Sequence, residues 1–394
     1  MGYCPLLLVA VCLNVQLSSA LAGDADAGAD TAADQKLLQE IEAAVPAAAP
    51  EPAAGLPARA GNALTNLFNP ALSANGLILA TLASPPAGEA RVRGDLELQE
   101  LELQLTANVD PYFSANLILA LPSGGSVEVE EGYLTATPQP AGIGFRAGKI
   151  KLPFGRENPL HTHALPFVEK SLIGTALFGD EGLNQVAVEA SVLLPVPWYS
   201  ALVVAGLDGR HQRLLGQPGD GALAGVAATR NVFDLWDDAT LEAGLSYAAG
   251  MGTDREIAQA VGGQLTFKWR PARDAANSSA VLTVEAMGGR QPLAAYDVAT
   301  EVPTPHDPIG LYAFAQWQLT KGWYVGARYE YLTDRIVQNE VTMRQSAIVV
   351  FAPTEFSAFR LQGSVTELPG VAMPVLEAFL QANFTIGAHP AHSY

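Results

Sequence analysis

"LELQLTANVD" (residues 101–110) alternates almost without interruption. Leu101, Leu103, Leu105, Ala107 and Val109 fall on one side; Glu102, Gln104, Thr106, Asn108 and Asp110 fall on the other. Successive side chains of an extended chain point to opposite faces, so this is a strand with one apolar and one polar face. The fold turns on what the apolar face touches: the core of a sandwich, or lipid.

The same period returns along most of the chain. "YFSANLILAL" (112–121), "NQVAVEASVLL" (184–194), "WYVGARYEY" (323–331) and "VLEAFLQANFTI" (375–386) each place aliphatic or aromatic groups on one face. In the third of these, Arg328 and Glu330 take the opposite face with Tyr324. Gly, Pro, Asn and Asp signals separate the segments. Strands are predicted to start near residues 72, 96, 112, 126, 142, 184, 198, 225, 239, 258, 280, 309, 322, 342, 356 and 375, about 16 in all. No repeat of fixed period is present, which argues against a propeller or solenoid.

The connections alternate as well. Tight ones at 109–112, 137–142, 195–198, 234–238, 319–322 and 352–356 are interleaved with longer ones at 84–95, 155–183, 208–224, 289–308 and 366–374. Short turns at one end and long loops at the other are the pattern of an up-and-down barrel in an outer membrane. A sandwich would share the period of two. Three features favour lipid. Apolar faces recur on nearly every strand with no helices to cover them. Aromatics gather near strand ends (Trp198 and Tyr199, Trp317 and Trp323, Phe351 and Phe356), which predicts two interfacial girdles. A closed barrel leaves no unpaired backbone edge in hydrocarbon. The fold class predicted is therefore all-β: a closed antiparallel up-and-down transmembrane β-barrel of about 16 strands. The leucines of 101–110 then face lipid, and Glu102, Gln104, Thr106 and Asn108 face a watery interior.

Bulk composition is consistent with this. Charged residues are 16%, against about 25% in soluble domains. Hydrophobic residues reach 49%, yet beyond the N-terminus no apolar run is long enough for a transmembrane helix. A net charge of −18 argues against a nucleic-acid partner.

Residues 1–22 read as a signal peptide with cleavage after Ala22, although no Lys or Arg precedes the apolar run. Cys4 and Cys12 lie in that segment, so the mature chain has no disulfide. Residues 23–62 read as an Ala/Pro-rich periplasmic leader with a short helix or nascent helix in "DQKLLQEIEAAV" (34–45). The leader carries −5, which leaves −13 on the barrel, residues 63–394.

"FRAGKIKLPFGREN" (145–158) resembles a segment common in phosphate-selective-type porins and their relatives. "FNPALSANGLILA" (68–80), "ANVDPYFSANLILAL" (107–121), "VEVEEGYL" (127–134), "HTHALPF" (161–167) and "FTIGAHPAHSY" (384–394) resemble, in that order, a set of bacterial outer-membrane proteins that includes zinc-regulated outer-membrane receptors. The resemblance implies a porin-like barrel of the bacterial outer membrane and supplies no substrate. A TonB-dependent receptor carries a plug domain, for which the residues before the first strand are too few.

Candidate pore-lining residues are Glu102, Glu128, Glu130, Arg146, Lys149, Lys151, Glu189, Arg328 and Glu330. Glu128, Glu130 and Glu131 on one strand and Arg146, Lys149, Lys151 and Arg156 on or past the next would form a cross-strand charge ladder. The ladder either keeps a polar lumen paired or makes a constriction with opposed charges. The period slips near 130–131 and 148–149, which predicts bulges. Residues 155–183 are apolar for a solvated loop (Pro159, Pro166, Leu172, Leu177, Phe178). They either fold back into the barrel and narrow it or form an exposed loop that packs on its own side chains or on neighbouring protein. His161 and His163, at i and i+2, offer two imidazoles to a metal, which is half a site; His389 and His392 form a second pair at the other end. No hydrolase, metalloprotease or phosphate-loop motif is present, and Ser191 faces inward without a histidine at a suggestive offset. No enzymatic activity and no organic cofactor are expected.

The function expected is passive diffusion of small hydrophilic solutes with weak cation preference. The alternative is a non-conducting receptor, adhesin or structural barrel, with a link to metal uptake as one form of it. Expected partners are outer-membrane lipid and lipopolysaccharide, the barrel-assembly machinery, the solutes, and further copies of the chain in a homo-oligomer. The terminal aromatic used in assembly is either Tyr394 or Phe384.

Overall fold

Alternation along each strand, together with turn chemistry between strands, produces an antiparallel meander. The computed structural model describes residues 70–84, 92–122, 125–136, 142–209, 214, 224–251, 256–291, 306–336 and 341–387. The expected signal segment and leader, His389, His392 and Tyr394 lie outside the described residues. The strands are β1 (Ala71–Ala83), β2 (Arg93–Asn108), β3 (Phe113–Pro122), β4 (Glu128–Ala136), β5 (Ile143–Lys151), β6 (Asn184–Leu193), β7 (Tyr199–Leu207) and β8 (Ala224–Trp236). They continue as β9 (Ala239–Met251), β10 (Ile257–Trp269), β11 (Ser279–Arg290), β12 (Pro308–Thr320), β13 (Trp323–Asp334), β14 (Val341–Thr354), β15 (Ser357–Glu367) and β16 (Val375–Gly387).

Each strand pairs with its sequence neighbours, and β1 pairs with β16 to close a 16-stranded barrel. The closing seam runs in register from Ser73 opposite Gly387 to Ala83 opposite Glu377. Inside the seam, Asn75 donates to Asn383 at 2.8 Å and to Thr385 at 2.9 Å. No edge strand is left, which is the condition for a sheet to stand in hydrocarbon.

The outer wall is aliphatic. Leu72, Leu96, Val188, Leu361 and Leu380 are exposed on it, while Glu102, Glu189, Glu330 and Gln381 are buried on the inner face. The β1–β2 ladder shifts by one residue between Leu77 and Ile78, whose partners are Glu100 and Leu98. That slip brings Leu98 and Leu101 to the same outer side, so the strand of the opening segment keeps its leucines toward lipid across its whole length.

The outward aromatics cluster most densely at one end. Ring contacts join Trp198 to Phe233, Trp236 to Phe267, Trp269 to Trp317, Trp323 to Phe351 and Phe351 to Phe359. All lie at the short-turn end. The other rim carries exposed Leu82, Leu96, Met251 and Ile257 instead. Among the described residues these ring contacts gather at the short-turn end, while exposed Tyr247 and Tyr329 stand farther along β9 and β13. Tight turns hold strand ends in register, so rings meet there on adjacent strands or, for Trp236 with Phe267 and Trp269 with Trp317, across the strand between them.

A polar lumen open to water throughout is not what the interior shows. Residues 152–183, between β5 and β6, fold inward through a 3₁₀ turn (Thr162–Ala164) and a short helix, α1 (Leu172–Phe178). Leu152, Phe154, Phe167, Ile173, Leu177, Phe178 and Leu183 pack against inward groups of the wall, including Ala205, Ala248, Ala260, Met287, Tyr312, Phe314 and Ile348. Each of the larger fully buried side chains contributes about 1.5–3 kcal/mol relative to exposure. A seven-residue helix is marginal alone. Here Ser171 caps it by accepting from Gly174 N–H at 3.2 Å, and its buried face supplies the rest. Of the two readings of this segment, the infolded one is observed.

A lipid-facing arginine at mid-barrel tests the arrangement. Val284→Arg and Leu265→Arg, on the outer faces of β11 and β10, are each expected to lower unfolding free energy in lipid vesicles by about 2–4 kcal/mol. Urea titration followed by tryptophan fluorescence checks this; unchanged midpoints would contradict it.

Candidate functional site

Glycine starts the inward turn. Gly155 has φ +64, and a Cβ there would lie 1.7 Å from Glu285 Oε1. With no side chain in the way, Gly155 N–H reaches Ser246 Oγ at 2.9 Å and Arg156 N–H reaches Glu285 Oε1 at 3.1 Å. Gly148, with φ +139, has the carbonyl of Gly132 2.1 Å from where its Cβ would sit. The β4–β5 ladder extends only from Thr135–Arg146 to Gly132–Lys149. Beyond it the two strands part, and the infolded segment takes up the space.

That parting undoes the expected charge ladder. Arg146 turns to β6 and makes two 2.8 Å bonds with Glu189, while standing 5.2 Å over the Tyr133 ring. Lys149 Nζ donates to the carbonyl of Val129 at 2.7 Å. Arg156 Nη1 lies 3.6 Å from Glu242 Oε1 on β9. Only Lys151 meets a carboxylate of β4, through its ion pair with Glu130. The slip near 130–131 is a bulge opposite Ile118 and Leu119, and it turns both Glu130 and Glu131 inward, where both are buried.

Those two carboxylates, with Glu102 of β2, close on the histidines of the infolded segment. His161 Nδ1 lies 3.3 Å from Glu102 Oε2 and 3.1 Å from Glu130 Oε2, and its Nε2 lies 3.1 Å from Glu131 Oε2. His163 Nδ1 lies 3.3 Å from the same Glu102 oxygen. The two imidazoles stack at 5.9 Å, brought together by the 3₁₀ turn and not by an extended segment. Glu102 therefore does not face open water: it is only 5% exposed, covered by this turn. Burial alone would disfavour a charged imidazole at His161, but the carboxylates of Glu102, Glu130 and Glu131 close around it reverse that and raise its proton affinity well above the ordinary value.

A second polar cluster holds the segment to the opposite wall. Arg328 Nη1 donates to the carbonyl of Glu169 at 2.8 Å and its guanidinium sits 4.6 Å over Phe167. Arg344 pairs with Glu330, reaches Glu169 Oε1 at 3.2 Å and donates to the Lys170 carbonyl at 2.6 Å. Gln362 Oε1 accepts from Val168 N–H at 2.8 Å. Glu157 accepts from the N–H of Ser171 at 2.9 Å; its burial pushes its carboxyl up, partly offset by Arg328.

Between the segment and the wall lies a cavity of about 710 Å³. Glu100, Glu128, Glu130, Glu169, Asp180 and Glu181 line it, against Lys149, Lys170 and Arg344. The anticipated residues thus divide four ways. Glu102, Glu130, Lys151, His161 and His163 share one cluster, and Arg328 and Glu330 another. Glu128 and Lys149 border the cavity, and Arg146 pairs with Glu189. Glu169, Arg344 and Gln362 were not anticipated. The inward parity of Arg344 and Gln362 was readable in their strands, whereas Glu169 sits in a loop with no period to place it.

No family model matches the chain. It is 28% identical over 339 residues to an uncharacterized protein of Aquifex aeolicus (strain VF5), covering 78% of this chain and 72% of that one. Its fold is similar to the anion-selective porin from Comamonas acidovorans, with a TM-score of 0.55 and 9% identity over 81% of this chain and all (100%) of that one. It is also similar to the outer membrane channel DcaP of Acinetobacter baumannii, with a TM-score of 0.53 and 10% identity over 80% of this chain and 97% of that one. The fold is that of bacterial outer-membrane porins and channels, and with its lipid-ready outer wall it places the chain in a bacterial outer membrane.

Arg344→Ala removes one of the two arginines that pair with Glu330, which is 1% exposed, and leaves Arg328 Nη2 at 3.5 Å. Because Arg328 still faces the carboxylate, the loss is expected to fall below the about 3–5 kcal/mol of a buried charge left without any partner. It is expected to raise amide hydrogen exchange across 165–172 while the barrel strands stay protected. Unaltered exchange in that stretch would show that the arginine does not hold it.

Proposed function

We propose that the protein is an outer-membrane channel for small hydrophilic solutes that favours cations, and that the cavity beside the infolded segment is its passage. The observation that carries this reading is the lining: six carboxylates against three basic groups around about 710 Å³. Carboxylates gathered in a narrow, low-dielectric passage raise the local concentration of cations and repel anions. The apolar filling against β6–β14 narrows the route to this one side. A passage of this bore suits single small solutes and not folded or polymeric cargo.

The same filling favours a second reading, a barrel that does not conduct and works through its loops as a receptor, adhesin or structural protein. The two readings differ in current. Purified full-length protein in a planar bilayer is expected to give discrete conductance steps and a reversal potential of cation-selective sign in a salt gradient. In the triple variant Glu100→Gln, Glu128→Gln, Glu181→Gln the cation-to-anion permeability ratio is expected to fall at least about twofold, because half of the lining carboxylates are neutralised. Silence of the folded wild type would favour the second reading, and an unaltered ratio would move the passage elsewhere.

A further inference from the structure

The cluster around His161 has polar atoms that the chain itself leaves unmatched. Glu102 Oε2, Glu130 Oε2 and His161 Nδ1 are buried and make no hydrogen bond of acceptable geometry, although Nδ1 is within 3.3 Å of both oxygens. All three lie within 4.8 Å of one another. Glu102 and Glu130 are each 5% exposed. Other arms of the cluster are occupied. His161 Nε2 is held by Glu131 Oε2 at 3.1 Å. Glu131 Oε1 accepts from Lys151 N–H at 2.7 Å, and Glu130 Oε1 takes the Lys151 ammonium.

This is how a coordination site is built. A carboxylate on one imidazole nitrogen fixes the tautomer and leaves the other lone pair free to ligate. Ligand atoms about 2.0–2.2 Å from one ion stand roughly 3.0–3.6 Å apart, which is the spacing of Nδ1 from its two oxygens. Three carboxylates meet one lysine here, so the pocket calls for further positive charge, which a proton on His161 or a bound cation in its place supplies. Two carboxylate oxygens and an imidazole nitrogen, with no thiolate, suit zinc or a neighbouring divalent transition metal. Glu130 and Thr162 also border the cavity, which gives an ion a way in and a water a place on the open coordination position.

We propose that Glu102, Glu130 and His161 bind one divalent transition-metal ion, with Glu131 orienting His161, and that the ion fastens the infolded segment to β2 and β4. The site stands apart from conduction: the ion ties together segments whose backbone ladder has ended, whether or not the barrel passes current. His163 beside Glu102 packs against the site and does not complete it.

The test uses the full-length protein refolded in detergent, stripped with EDTA and titrated calorimetrically with zinc alone. The wild type and His389→Ala, His392→Ala are expected to bind one zinc per chain. Glu256→Gln, at an exposed pair with Arg290, is expected to bind as tightly as wild type. His161→Ala and Glu102→Gln are expected to lose the binding, and Glu131→Gln to weaken it about 10–100-fold. Gel mobility of the unheated protein shows that each variant is folded. Zinc is also expected to slow amide exchange across 160–165 in the wild type but not in His161→Ala. Absence of zinc binding by the folded wild type, or binding unaffected by His161→Ala and Glu102→Gln, would overturn the proposal.

Discussion

Hydrocarbon offers no hydrogen bonds, so every backbone N–H and C=O inside it must find a partner within the chain. The seam between β1 and β16 answers that requirement, because it turns fifteen hairpin ladders into a sheet without an edge. Once the cylinder closes, the pleat does the remaining sorting. One side chain in two goes to lipid, the next goes inside, and a one-residue bulge suffices to invert the order. The bulge at Ile118 and Leu119 does this deliberately, delivering two adjacent glutamates to the interior.

The interior is where the fold departs from a simple water-filled cylinder. One wall, from β6 to β14, presents small and aromatic inward groups, and the connection after β5 lays its own apolar side chains upon them. Polar contacts then hold the segment at its borders: Glu285 and Ser246 at its start, the histidine–glutamate cluster on β2 and β4, and Arg328, Arg344 and Gln362 across the lumen. What remains beside it is an acidic cavity. Function and stability are therefore set by the same segment, since the groups that anchor it also border the open space.

The strands were legible in the sequence because alternation and turn residues leave a local signal. Predicted starts at 184, 239 and 375 coincide with Asn184, Ala239 and Val375. The infolding of 155–183 was legible as one of two readings, from its apolar content. The filled lumen was less so. Its trace was alanine at inward positions of β7 to β10, such as Ala205, Ala228, Ala248 and Ala260, where a wet lumen would carry polar groups. The cluster was half legible: His161 and His163 stood out by spacing, but Glu102 lies some sixty residues upstream, and only barrel closure and a 3₁₀ turn bring it to them. The charge ladder failed because pairing by sequence offset assumed that β4 and β5 stay together past Gly132.

The account rests on β11 having lipid on one face and protein on the other. Nitroxide labels at single cysteines from 282 to 287, in protein reconstituted into vesicles, test this through collision with oxygen and with a water-soluble nickel chelate. High oxygen accessibility at 282, 284 and 286, with little access for either reagent at 283, 285 and 287, is the result the account requires. Nickel accessibility at the even positions, or free nickel access at the odd ones, would contradict it.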